Sequence, residues 1–114
     1  MDSSQAVVDE LSRRFKPEAC RNMRATYLIN VRGVQNGAWL TKIDDGSVDF
    51  SQVDATEAEE NGKKIADCVI SIDKEDLADI ISGKMKAMTA AMSGVLNIEG
   101  DITKAMKLVP IFFS

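Results

Sequence analysis

From Thr26 onward the chain stops repeating as a helix and starts repeating every two residues, and this change of period constrains the fold more than any other feature. Tyr27, Ile29 and Val31 alternate with Leu28, Asn30 and Arg32. Asn36 and Gly37 supply a turn, after which Trp39, Thr41 and Ile43 alternate with Leu40, Lys42 and Asp44. A second turn at Asp44, Asp45 and Gly46 leads to Val48, Phe50 and Gln52, with Ser47, Asp49 and Ser51 on the other side. Successive side chains of a strand point to opposite faces, and Asn-Gly or Asp-Gly between two such runs signals a hairpin. Three strands in a meander with one apolar face follow. A fourth run opposes Ala66, Cys68, Ile70 and Ile72 to Asp67, Val69 and Ser71, and a fifth, over 95–99, sets Leu96 and Ile98 against Asn97 and Glu99.

A sheet with one apolar face needs helices to cover it. Ser3 or Ser4 caps a first helix with Val7, Val8, Leu11 and Phe15 on one side and basic residues near its C-terminal end, and Pro17 stops it. Asp73 caps another, with Leu77, Ile80 and Ile81 on its stripe and Gly83 at its end. A short helix over 86–93 places Met88, Ala91 and Met92 at helical spacing, and Gly94 closes it. Asp101 caps the last, whose stripe is Ile102, Ala105, Met106 and Val109. Pro110 is expected to end that helix and leave Ile111, Phe112 and Phe113 as an apolar tail. The polar segment 52–64 reads as a connection with at most one helical turn at Asp54. The expected fold class is therefore α+β: a five-stranded mixed sheet, wet on one side and covered on the other by about five helices.

At 114 residues the chain, 1–114, is one domain or one module of a longer protein, and it is large enough to bury a core without metal or disulfide. It has two cysteines and no histidine, which excludes Cys-His catalysis and His metal ligands. Cys68 falls on an inward strand position, where a thiol acts as a small apolar group. Gly83 and Lys84 lack the glycine spacing and the Ser or Thr of a phosphate loop. Asp54, Glu57, Glu59 and Glu60 lack the spacing of a calcium loop, so no metal, cofactor or catalytic set is expected. A net charge of -4 argues against nucleic acid. No apolar run reaches the roughly 20 residues of a membrane span, and the N-terminal segment is too charged for a secretory signal, so an intracellular, reducing compartment is expected.

The soft, apolar stretch 80–113 holds Met85, Met88, Met92 and Met106 and ends on the aromatic tail. Flexible thioethers fill a core, or they line a cavity that adapts to guests of different shape. The cluster points to a cavity between sheet and helices.

Trp39 before an Asp-Gly turn, Lys63-Lys64-Ile-Ala-Asp-Cys-Val-Ile-Ser-Ile, Asp76-Leu-Ala-Asp-Ile-Ile-Ser-Gly-Lys-Met, and Gly94-Val-Leu-Asn-Ile-Glu-Gly-Asp followed by Ala105-Met-Lys-Leu occur in that order. In these the chain resembles the sterol carrier protein type 2 family from Tyr27 onward. The resemblance implies a hydrophobic tunnel that holds fatty acid, fatty acyl-CoA, sterol or phospholipid without catalysis. By position it implies a floor of Trp39, Cys68 and Ile70 and a helical wall of Ile80, Ile81, Met85, Met88 and Met92. It implies a lid of Met106, Leu108, Ile111, Phe112 and Phe113, whose removal beyond residue 110 would weaken retention and leave the fold intact. The alternation predicts the floor independently. Where the family often has two aromatic residues before the fifth strand this chain has Ala91 and Met92, and Val95 replaces a usual lysine. The chain ends Phe-Phe-Ser instead of a peroxisomal Ser-Lys-Leu, which favours the cytoplasm. The expected partners are a lipid and, transiently, a membrane, for a monomer or weak dimer. A second reading keeps the apolar C-terminal helix and tail, with the Met helix, as a docking surface for a protein or a second copy. An acyl-ester hydrolase working through Asp or Glu would lack an activated nucleophile.

Overall fold

The computed structural model describes residues 3–113. Its first helix, α1 (Ser4–Arg14), begins at Ser3, whose hydroxyl accepts the Ala6 N–H at 3.2 Å, and buries Val7 and Leu11. A 3-10 turn, Pro17–Cys20, leads into β1 (Arg24–Arg32), β2 (Ala38–Asp44) and β3 (Ser47–Gln52), the expected antiparallel meander. Asn36, Asp45 and Gly46 take positive φ of 57°, 43° and 82° in the two turns, as the residue types foretell. β4 (Cys68–Asp73) pairs parallel to β1, and β5 (Asn97–Gly100) pairs antiparallel to β4. The five-stranded mixed sheet runs in the order β3-β2-β1-β4-β5.

The connection between β3 and β4 departs from expectation. It is an eleven-residue helix, α2 (Ala55–Ile65), started by Asp54, whose carboxylate accepts the Thr56 N–H at 2.8 Å. Since β2 and β1 separate β3 from β4, the chain must cross the sheet, and it does so on the face opposite the other helices. Only Ala58 and Gly62, four residues apart, are buried in α2. A Cβ at Gly62 would stand 2.9 Å from Leu28 Cδ2 and 3.2 Å from Val69 Cγ2, so the missing side chain is what lets α2 lie on the sheet. A stripe of one alanine and one glycine has no hydrophobic periodicity, which is why the segment reads as a loop. The second face of the sheet is thus partly covered, with Leu28, Ala38 and Ala58 forming a small core of their own.

The remaining helices, α3 (Lys74–Ile81), α4 (Ala87–Ser93), α5 (Ile102–Met106) and α6 (Leu108–Phe112), join α1 over the face that carries Tyr27, Ile29, Val31, Ile70 and Ile72. Asp73 occupies the N-cap position of α3 without capping it; its carboxylate accepts Arg32 Nε at 2.7 Å instead. Pro110 does not end the helical chain. The break comes at Lys107, and Pro110 falls in the first turn of α6, where a missing N–H leaves no helical bond unmade. Ile111 and Phe112 are accordingly not a free tail: they are 0% and 1% exposed. Among the described residues no helix is long and apolar enough to cross a membrane.

Candidate functional site

Pairing register puts Ile29 beside Ile70 and Ile70 beside Ile98, so three isoleucines form a row across β1, β4 and β5. This row floors an apolar cavity of about 40 Å³. Its roof is Leu11 from α1, Leu77 and Ile80 from α3, and Leu108 and Phe113 from the C-terminal end. Every lining side chain is apolar, so the site offers no nucleophile, acid or base; what it can do is exclude water from an apolar guest. Sites for small molecules usually hold about 300–1,000 Å³, so a lipid would have to separate the layers.

A second, open groove of about 440 Å³ lies outside, between α4, β5 and α5, with Met92 and Ile102 on its rim. Leu96, Ile98 and Met106 line both this groove and the inner cavity. Three half-buried apolar side chains therefore stand between solvent and the interior at this edge. The larger groove beneath α2 is of another kind, lined by Glu59, Glu60, Lys63, Lys64 and Glu99, and belongs to the wet face.

Two side chains of the sheet hold α5 in place. The Tyr27 hydroxyl donates to the Lys104 carbonyl at 2.7 Å, and the Cys68 thiol donates to the Asp101 carbonyl at 2.9 Å. Burial, and secondarily the nearby Cys68 and acidic groups, hold the Tyr27 phenol well above its ordinary pKa. Burial and then Asp101 push the Cys68 thiol up, which keeps it protonated and unreactive. The Asp101 carboxylate caps α5 by accepting the Lys104 N–H at 3.0 Å. α4 (Ala87–Ser93) has no side-chain cap at its N-terminal end. Gly83 and Gly94 flank it at φ of 86° and 84°, with nothing within 4 Å of where a Cβ would stand, and the helix buries two alanines, Ala87 and Ala90.

Of the predicted site residues, Ile70, Ile80, Met106, Leu108 and Phe113 meet at the cavity. Cys68, Ile111 and Phe112 are buried beside it, and Ile81 and Met85 are half-buried against the same core. Met88 and Met92 point outward, 46% and 83% exposed. Trp39 is buried in β2 but does not line the cavity. The residues absent from the prediction are chiefly Leu11, Ile29, Leu77 and Ile98. The alternation already turned Ile29 and Ile98 inward; the parallel β1–β4 register that aligns them was not visible in it.

Among the described residues, Trp39 Nε1 and Thr41 Oγ1 are buried with no hydrogen-bond partner. A fully buried hydroxyl left unpaired costs about 1–3 kcal/mol. Thr41→Val, which keeps the branched shape on a strand, is therefore expected to raise stability by about 1 kcal/mol in urea unfolding. A loss of stability would mean that the hydroxyl has a partner in solution.

A model of the SCP-2 sterol transfer family matches residues 8–113. A hydroxysteroid dehydrogenase-like protein 2 from Xenopus laevis is 33% identical over 109 residues, which are 94% of this chain and 24% of that protein. The chain thus spans about a quarter of the length of that relative. The same fold occurs in palmitated SCP2L2 from Aedes aegypti, with TM-score 0.66 and 18% identity over 95% of this chain and 92% of the other. It occurs also in a sterol carrier protein 2, with TM-score 0.62 and 19% identity over 95% and 85%.

Proposed function

We propose, from the premise that this chain belongs to the SCP-2 sterol transfer family, that it is a lipid-binding and lipid-transfer module. It holds a fatty acid, fatty acyl-CoA, sterol or phospholipid between sheet and helices, and the role requires no catalysis. One observation carries this reading: an entirely apolar cavity shares Leu96, Ile98 and Met106 with an apolar groove on the surface. The palmitated state of the mosquito protein with the same fold supports it.

The physical sequence of events follows from which helices are tied down. α5 is held by Tyr27 and Cys68, and α6 carries fully buried core residues, whereas α4 buries only small side chains between two glycines. Displacing α4 uncovers only small buried side chains and breaks neither of those bonds, so the cavity enlarges there and the septum of Leu96, Ile98 and Met106 parts. Each methylene moved from water is worth about 0.8 kcal/mol, on the order of 10 kcal/mol for a long acyl chain. Association and the opening itself cancel a large part of this, leaving micromolar affinity as the expected result. The reading that the apolar tail and the Met helix dock a protein loses its tail, because Ile111 and Phe112 are buried, and keeps only Met88 and Met92 of α4.

Native mass spectrometry of the purified chain, with extraction and identification of bound lipid, tests the proposal, together with titration by a fluorescent fatty acid. The absence of both bound lipid and uptake would overturn it. Ala105, 3% exposed in the cavity wall, gives a sharper test. Ala105→Leu adds three carbons to the space a ligand must share and is expected to weaken fatty-acid binding about tenfold while the chain stays folded. Unchanged affinity in a folded Ala105→Leu protein would place the ligand elsewhere.

A further inference from the structure

We infer that Trp39 and Thr41 are a hydrogen-bond anchor for the hydroxyl group of an uncharged lipid, an assignment that rests on the lipid-carrier reading and names the class of ligand it favours. Nearly every buried polar atom in a folded protein has a partner, so each one without calls for an explanation. Among the described residues two buried side-chain polar atoms lack one, Trp39 Nε1 and Thr41 Oγ1. They are two places apart on one strand, β2, and therefore on one face of it. Trp39 is 9% exposed and Thr41 is 0% exposed.

Strand register says which face this is. Trp39 stands opposite Ile29, and Thr41 opposite Tyr27. Ile29 floors the cavity and Tyr27 reaches the Lys104 carbonyl of α5, so the pair belongs to the inner face, under the helices. The row of Ile98, Ile70 and Ile29 starts at the β5 edge, where the outer groove lies, and its next member is Trp39. From β5 to β2 is three strand spacings, roughly 14 Å. The closed cavity reaches Ile29 and stops short of the pair. A lipid that enters over β5 and parts the layers along this row brings its leading end to Trp39 and Thr41.

Hydrogen-bond chemistry selects what that end must be. The indole N–H only donates, whereas the threonine hydroxyl both donates and accepts. A ligand hydroxyl answers both, its oxygen accepting from Trp39 and its O–H donating to Thr41. A methyl end would leave the two atoms unpaired. A carboxylate would lie among Tyr27, Ile29 and Phe50, the residues set beside the pair in register, none of which is a cation. The hydroxyl whose lack of a partner makes Thr41→Val stabilising in the empty protein is thus the one that a lipid alcohol satisfies.

The test uses the whole chain with dodecanol, with tridecane, which puts a methyl in place of the hydroxyl, and with dodecanoate, each displacing a fluorescent fatty acid. Trp39 is the only tryptophan, so the single indole peak of a proton–nitrogen correlation spectrum reports its N–H directly. Dodecanol is expected to move that peak downfield, the direction of a new hydrogen bond, and tridecane and dodecanoate are not. Thr41→Val, and Trp39→Phe, which keeps an aromatic ring without the N–H, should each lower the preference for dodecanol over tridecane by about three- to tenfold. Because the readout is a ratio, a general loss of packing cancels. Dodecanol that binds without moving the indole peak, or folded variants that keep the parent's preference, overturn the inference and leave the carrier reading standing. So does a long-lived water found by cross-relaxation at the indole N–H of the empty protein, since the pair would then be satisfied already. A protein that takes up none of the three, nor the fluorescent fatty acid, loses both readings. Cholesterol presented from cyclodextrin carries the same hydroxyl on a rigid body. A downfield shift with it extends the anchor to sterols, and a shift with dodecanol alone confines it to straight chains; the anchor stands in both cases.

Discussion

Phe112→Ala should lower the unfolding free energy by about 3–5 kcal/mol, a large part of the 5–15 kcal/mol that a domain of this size has. Phe112 is 1% exposed, and its ring lies 5.8 Å from Phe15, 6.2 Å from Phe50 and 6.3 Å from Phe113 between centroids, all tilted. It therefore joins the end of α1, strand β3 and the C-terminal helix. The neighbouring Ile111 carbonyl accepts the Lys16 N–H at 3.0 Å, so the same turn also satisfies the backbone between α1 and the 3-10 turn. Removing the chain beyond residue 110 should do more damage still and leave an unfolded or molten protein. That is the reverse of the expectation for a lid, which predicts a stable domain with a leakier site. Urea unfolding separates the two: a Phe112→Ala unfolding free energy within about 1 kcal/mol of the parent would restore the lid.

Gly100→Ala is the second large effect, expected to cost about 3 kcal/mol or more and to lower the melting temperature by roughly 10 °C. Gly100 ends β5 at φ of 98°, and a Cβ there would stand 2.4 Å from the Asp67 carbonyl oxygen and 3.3 Å from Cys68 Cα. Both neighbours are backbone next to or within β4, so relief requires the strands to part. Parting them also strains the bond from the Asp101 N–H to the Asp67 carbonyl, at 3.2 Å, and the thiol bond from Cys68 to Asp101. Gly94→Ala is the control, because it has a similar φ of 84° with open space around the Cβ position. It should lose only about 1 kcal/mol. If both variants melt together, backbone conformation and not the packing of β5 on β4 decides the cost. Since Ile98 belongs to both cavity and groove, a folded Gly100→Ala protein should also bind lipid more weakly.

Much of this architecture was legible because it depends on near neighbours in the chain. The period of two, broken by Asn36-Gly37 and Asp45-Gly46, sets β1 to β3 and says which side chains face inward. Helix ends at Ser3, Gly83, Gly94 and Asp101 follow from cap chemistry that acts over three or four residues. The elements misread are those whose signal is an absence. α2 packs through Ala58 and Gly62, which look like loop residues until Leu28 and Val69 are found beneath them. α6 follows a proline rule read too strictly, since only the break at Lys107 turns Pro110 from a helix interior position into a first-turn position.

By itself, then, the sequence determined the strands, most helix boundaries, the inward face of the sheet, and the lack of histidine chemistry. Only the tertiary structure decided which inward residues share a cavity, because Ile29, Ile70 and Ile98 come from three distant segments aligned by a parallel and an antiparallel register. It also decided the opposite fates of two apolar groups that look alike in one dimension. Phe112 is buried by α1 and β3, whereas Met92, on a short helix between two glycines, is left facing solvent at the edge where a lipid would enter. Hydrophobicity belongs to the residue, but burial belongs to the neighbours that long-range packing brings to it.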